Sequence, residues 1–181
     1  AYRRVGICMH ASISDDAFAV FDGLNVKKMH SSRRDAFQQI NYPPVAHLDE
    51  AGNISIRREE LYTALPEKFL SYVPYDTSLK IGFFKGHPHL NPDEIKLLSY
   101  YDAVIVEGTG LGHLAVSQFD AHTHINTKNL EAISSLLDDT KVIIGVQTVS
   151  GVTDMHIYSS GRYLLQTGVL GNGMNLTTET L

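Results

Sequence analysis

The sequence has 181 residues, of which 43% are hydrophobic and 19% charged, and carries a formal net charge of −5. That balance fits one ordinary domain or two small ones and excludes a disordered chain. It also argues against nucleic-acid binding through bulk charge, which needs clustered Lys and Arg, while leaving a local basic patch open.

No apolar run approaches the length of a membrane span, and AYRRVGICMHAS lacks the apolar core of a secretory signal. The single cysteine, Cys8, cannot form a disulfide within the chain. A reducing, cytoplasmic setting is expected, with Cys8 as a small buried core residue rather than a nucleophile. The first residue is Ala, and TTETL reads as a helix start cut off after one turn, so both ends are expected to be cuts.

In chain order, short apolar stretches come first: VGICM (5–9), AFAVF (17–21), LNV (24–26), VAHL (45–48) and ISI (54–56). The turn signals SISDD, Asp22-Gly23, Pro43-Pro44 and DEAGN separate them, which predicts strands joined by hairpins or loops. Residues 57–78 are polar, contain Pro66 and Pro74, and read as a linker with one short helix over REELYTAL. The texture then changes. LKIGFF (79–84) predicts a strand covered on both faces. Asn91-Pro92-Asp93-Glu94 starts a helix with a capping side chain, a first-turn proline and acids at the positive end of the dipole. AVIVE (103–107) and KVIIGV (141–146) are further buried strands. Thr127 to Asp138 is a helix with Leu130, Ile133 and Leu137 on one stripe, and SSGRYLLQTG (159–168) is a helix closed by Gly168. Val169-Leu170 reads as a short fourth strand. Alternating strands and helices of these lengths imply a parallel sheet flanked by helices.

VIVEGTGLGH follows a strand, where a phosphate-binding loop would sit. Gly108 and Gly110 match two glycines of the dinucleotide fingerprint, but the third falls on His113, the next helix is delayed, and no acid ends the following strand. A tight turn, or the lining of a site for a small polar molecule, fits better. The nine histidines include His87-Pro88-His89 and His122-Thr123-His124, yet both pairs lie in polar loops, and no metal is expected. The segment NVKKMHSSRRDAFQQIN (25–41) packs two lysines, a histidine and two arginines into an acidic protein. Lys28, beside Lys27, has the setting of a base or proton carrier if it is partly desolvated. A solvated strand rim is the plainer reading.

Taken in order, these segments resemble the asparaginase-like amidohydrolases, and among them the branch that serves tRNA-dependent amidotransferases. VKKMHSSRRDAFQQIN is similar to that branch's basic motif, and CMHASISDDAF to the stretch before it. AVIVEGTGLGHLAV resembles the family's GTGLG loop, with the histidine of that branch. MHIYSSGRYLLQTGVL resembles the family's YS-x-GR-x-LL-x-x-GV signature. QTVSGVTDMH (147–156) departs from the cysteine-containing loop usual in the family.

The resemblance implies a two-domain α/β architecture: residues 1–56 as the end of an N-terminal amidohydrolase domain of strands and hairpins, 57–78 as a linker, and 79–181 as a smaller Rossmann-like C-terminal domain with a parallel sheet. It implies a glutaminase that releases ammonia for converting Glu-tRNA(Gln) to Gln-tRNA(Gln). A stand-alone type I asparaginase and a non-catalytic scaffold are the alternatives. Aligning the family's V-x-K segment makes Lys28 the lysine of a Thr-Asp-Lys group. The family's TGGT and GTDT motifs do not occur in the sequence. The expectation is therefore a fragment, inactive by itself, rather than a protein that has lost its chemistry. Gly108, Thr109, Gly110, Gly112 and His113 are candidates for lining or ordering the substrate pocket. Lys27, His30, Arg33 and Arg34 are candidates for ordering the loop, facing the partner or contacting tRNA. The implied partners are an amidotransferase subunit (GatE-like), which would use ATP and Mg, glutamine, Glu-tRNA(Gln) through the complex, and a second copy in a homodimer. No cofactor is expected in this chain and no membrane association.

Overall fold

The computed structural model describes residues 5–58 and 72–181, which fall into two compact units with the boundary between Val73 and Pro74. The boundary lies inside the stretch read as a linker. The helix expected over REELYTAL falls almost wholly outside the described residues.

The first unit is built from antiparallel pairs. β1 (Gly6–His10), β2 (Ala17–Asp22), β5 (Ala46–Asp49) and β6 (Ile54–Ile56) form one sheet in the order β1-β2-β5-β6. β3 (Val26–Lys28) and β4 (Phe37–Gln39) form a separate two-stranded ribbon. Alternation along β2 buries Ala19 and Phe21, which join Ala36, Ile40, Val45 and Ala46 in a small core. Gln39 fixes the ribbon: its Oε1 accepts from the Asp22 amide at 2.7 Å and its Nε2 donates to the Asn25 carbonyl at 3.0 Å.

Three expectations change here. Cys8 is exposed rather than in the core: among the described residues β1 stands at the edge of its sheet and nothing covers the Cys8 side chain. Leu24 stands in the turn, not in a strand, and β3 begins at Val26. β4 was not foreseen, since two glutamines in a row read as polar, and what holds Gln39 is non-local.

The second unit carries the parallel sheet, β7 (Ile81–Lys85), β8 (Ala103–Gly108) and β9 (Lys141–Val146), in the order β7-β8-β9. α1 (Pro92–Leu97) connects the first pair, α2 (Ile125–Leu136) the second, and α3 (Ser159–Thr167) follows β9. Asn91 caps α1 by accepting from the amides of Asp93 and Glu94, both at 3.1 Å. α2 begins two residues earlier than its periodicity predicts, because Asp120 caps a 3-10 turn, Ala121–Thr123, that leads into it. Gly168 closes α3 at φ 102°, the left-handed conformation that glycine adopts without strain. Val169-Leu170 forms no strand, only a bridge of Leu170 to Ile143. The last residues make a single 3-10 turn, Thr178–Thr180.

The core gathers Val104, Val106, Val142 and Ile144 from alternate strand positions, with Ile95 of α1, Ile133 and Leu136 of α2 and Leu164 of α3. The alternation corrects the reading of LKIGFF. Ile81 and Phe83, on the opposite set of positions, are more than half exposed, so β7 is covered on one face. Among the described residues no helix is long and apolar enough to cross a membrane.

The buried face of α2 includes a polar residue that the expected stripe of Leu130, Ile133 and Leu137 did not. Asn129 is fully buried and donates through Nδ2 to the carbonyls of Leu90 at 3.0 Å and Ala115 at 2.9 Å. It ties together two loops through their carbonyls, while its own Oδ1 is buried without a hydrogen-bond partner. Asn129→Leu keeps the volume and strands both carbonyls. Urea unfolding is expected to show a loss of about 2 kcal/mol, whereas an unchanged midpoint would make the amide dispensable.

Candidate functional site

Lys28 ends β3, where it pairs across the ribbon with Phe37. Its Nζ stands 5.9 Å from the Phe37 ring centroid, a long cation–π distance, and the side chain is exposed. Lys27, its neighbour on β3, lies opposite Gln38.

The loop that follows is ordered by its own charged groups. His30 Nδ1 accepts from the amides of Ser32 at 3.1 Å and Arg33 at 3.2 Å. The Arg33 guanidinium forks onto Asp35, with Nε 2.8 Å from Oδ1 and Nη2 bonded to Oδ2. That bond holds the Asp35 carboxyl below the ordinary carboxylate range against the opposing effect of desolvation. Arg34 reaches out of the loop to Asp15 in the turn after β1. Both arginines thus meet carboxylates, and His30 serves as a backbone acceptor. This is how a loop-ordering segment is built, and it leaves less of the motif's charge available to phosphate.

Beside the ribbon lies a cleft of about 240 Å3, lined among others by Ala19, Phe21, Asp35, Phe37, Gln39 and His47. A lining of apolar residues mixed with a few polar groups suits a small polar molecule.

The glycine loop belongs to the second unit. Gly108 closes β8, and the chain turns back so that the Thr109 amide donates to the His113 carbonyl at 2.8 Å. The amides of Gly112 and His113 both donate to the Thr109 carbonyl, at 3.0 and 2.9 Å. Three of the loop's backbone donors are therefore used internally, which is a further reason against a phosphate cradle. Gly110 and Gly112 have φ values of 53° and 99°. His113 packs edge-on against Tyr158, with 5.3 Å between ring centroids, and its Nε2 is buried without a hydrogen-bond partner. Burial holds its pKa below the ordinary histidine value, opposed by a backbone bond at Thr109 and the charge of Asp154.

The divergent 147–156 segment is anchored structurally. Thr153, 2% exposed, bonds through Oγ1 to the Gly171 carbonyl and accepts from the Met174 amide at 2.7 Å. Asn172 Oδ1 accepts from the Met155 amide at 2.8 Å. Among the paired histidines, His87 Nε2 lies 2.9 Å from Glu94 Oε1 and His124 Nδ1 3.1 Å from the Ala121 carbonyl. Among the described residues no group of three or more His, Cys, Asp or Glu is arranged to hold a metal ion.

Sequence reasoning missed Asp15 and Asp35 as partners of the two arginines. The acids were visible as turn residues, but nothing in the sequence says which cation each would meet. It also missed Glu107, which is bonded to the Thr178 hydroxyl at 2.8 Å with Lys85 Nζ 3.7 Å away.

Two outcomes test the glycine loop. A Cβ at Gly112 would meet Ile144 at 3.1 Å and Thr153 at 3.3 Å on a backbone that L-residues rarely adopt. Gly112→Ala is expected to cost about 1–3 kcal/mol in urea unfolding. His113 is disfavoured as a cation only in the folded chain. The unfolded chain takes up that proton below its ordinary pKa of 6.5, so stability falls as pH drops through that value. His113→Gln should lose less stability than the parent between about pH 7.5 and pH 5. Equal losses would show that the imidazole does not contribute.

Residues 1–62 match the sequence profile of the asparaginase N-terminal domain family. The D subunit of a glutamyl-tRNA(Gln) amidotransferase from Methanosphaera stadtmanae is 35% identical over 94% of this chain and 37% of its own length. Proteins of the same name from Methanobrevibacter smithii and Thermoplasma acidophilum are 32% and 34% identical over 98% and 97% of the chain, and 38% and 39% of their own lengths. The chain thus spans under two fifths of the length of these curated relatives. In fold it is similar to the thermostable L-asparaginase of Thermococcus kodakarensis (TM-score 0.68, 24% identity, 88% of this chain and 45% of that one). It is also similar to L-asparaginase I of Vibrio cholerae (TM-score 0.65, 20% identity, 90% and 45%). These matches bear out the asparaginase-like resemblance and the two-part α/β architecture read from the motifs.

Proposed function

We propose that this asparaginase-like chain is part of the glutaminase subunit of a tRNA-dependent amidotransferase, which hydrolyses glutamine and delivers ammonia for converting Glu-tRNA(Gln) to Gln-tRNA(Gln). The observation that carries the reading is the 35% identity over 94% of the chain to a protein named for that activity. The basic segment with its paired arginines supports the same branch.

In this reading the chain supplies Lys28 and the scaffold around it. A threonine hydroxyl elsewhere in the protein attacks the side-chain amide, forms an acyl-enzyme and releases ammonia, and water then frees glutamate. Threonine is a weak nucleophile, and a Thr-Asp-Lys28 group takes or relays its proton. Lys28 does this only when its ammonium is desolvated or paired with the carboxylate. Gly108, Thr109, Gly110, Gly112 and His113 order or line part of the pocket. Lys27, His30, Arg33 and Arg34 order the loop or face the partner. The whole protein works in the cytoplasm as a homodimer with a GatE-like subunit, which activates glutamate on the tRNA with ATP and Mg2+. The glutaminase itself needs no cofactor of its own.

The fold similarity to two L-asparaginases supports a second reading, a stand-alone asparaginase. The two separate by substrate: ammonia released from glutamine, and faster with the partner and misacylated tRNA present, supports the amidotransferase. Release from asparagine regardless of either supports the alternative. Within either reading, Lys28→Met in the full-length protein is expected to abolish ammonia release while the circular dichroism spectrum stays that of the parent. Undiminished release would remove Lys28 from the chemistry.

A further inference from the structure

The two segments most similar to the amidotransferase branch, CMHASISDDAF and VKKMHSSRRDAFQQIN, are physically joined. Arg34 Nη1 donates to Asp15 Oδ1, and His10 Nδ1, at the end of β1, lies 3.5 Å from the same oxygen. The turn that presents Asp15 is itself closed: Ser12 donates through its hydroxyl to Asp16, and its Oγ accepts from the Ser14 amide at 3.0 Å. On the other side, Arg33 and His30 make the loop rigid through Asp35 and the backbone. That loop begins at the residue after Lys28. The Met29 amide donates to the Ala36 carbonyl at 2.6 Å, and Lys28 pairs with Phe37 beneath it. The loop and the strand that carries the ammonium are thus joined through the backbone, with no residue between them.

We propose that Asp15 is a positioning residue for the reaction: its carboxylate holds Arg34, and through the 29–36 loop it fixes the direction of Lys28. The role rests on the reading of Lys28 as part of the proton-moving group. The Arg34 and Asp15 side chains are 53% and 66% exposed, so the pair contributes little to global stability. Its effect falls on the geometry of the loop, and a purely structural role would not give that separation.

The test uses the full-length protein with its partner and glutamine as the substrate. Asp15→Ala and Arg34→Ala are each expected to lower kcat about tenfold with little change in KM, as expected when a reacting group is misplaced. The melting temperature should stay at the parent's value. Asp15→Glu should retain most of the rate, and the exchanged pair Asp15→Arg with Arg34→Asp should recover much of what each single exchange loses. Hydrogen exchange at the amides of residues 29–36 should be faster in Asp15→Ala than in the parent. Parent-like kcat in Asp15→Ala overturns the proposal where Lys28→Met is inactive, whatever the exchange shows. If Lys28→Met is itself fully active, the reading of Lys28 has failed on its own. Faster loop exchange in Asp15→Ala would then uphold the tie between the segments and overturn its link to catalysis, while unchanged exchange would overturn both.

Discussion

Val104, Val106, Val142 and Ile144 put four branched side chains on one face of a parallel sheet, and the organisation of the second unit follows from covering them. Parallel strands need crossovers, and the helices of those crossovers bring Ile95, Ile133, Leu136 and Leu164 onto the same face. Burying that face forces the connecting loops inward, where their carbonyls lose water. Asn129 answers for two of them, and Thr153 with Asn172 holds the returning strap from Gly171 to Met174. The glycine loop leaves the sheet at the carboxyl end of β8, the end at which ligands bind in open α/β sheets. Three of its amides bond within the loop, so it has the character of a wall more than of an anion cradle.

The first unit solves a different problem. Its described residues bury few apolar side chains, and its described strands are short. Side-chain hydrogen bonds supply definition that the core does not. Gln39 pins the ribbon to the end of β2, and the basic segment is ordered by neutralising its own charges. Exposed ion pairs of this kind add little to global stability. They do restrict the geometry of a hairpin loop, and Lys28 stands at the root of that loop.

The proposed reaction asks for a lysine whose surroundings favour proton transfer. Lys28 is exposed, with its Nζ 5.9 Å from the centroid of Phe37, and Phe37 lines the neighbouring cleft. The proposed function thus assigns the remaining partners of Lys28 to the rest of the protein, and it assigns to this chain the task of aiming the side chain.

Much of this was legible in the residues themselves. The change from hairpins to alternating strands and helices is a change of hydrophobic period, and period is local. The Asn91 cap and the Gly168 stop are likewise local chemistry, and both lie where the sequence puts them. What the sequence left open depended on neighbours. Cys8, read as a core residue, is exposed because its strand is at an edge, and the Ile81 and Phe83 face of β7 is open because the helices converge on the other side. Asn129 occupied a helical position with no sign that two carbonyls would face it. The pairing of Arg34 with Asp15 joins residues nineteen positions apart, a choice that only the packing of one turn against another could make. Periodicity and capping are written within a few residues of each site, whereas burial, edge position and ion-pair choice belong to contacts between distant segments.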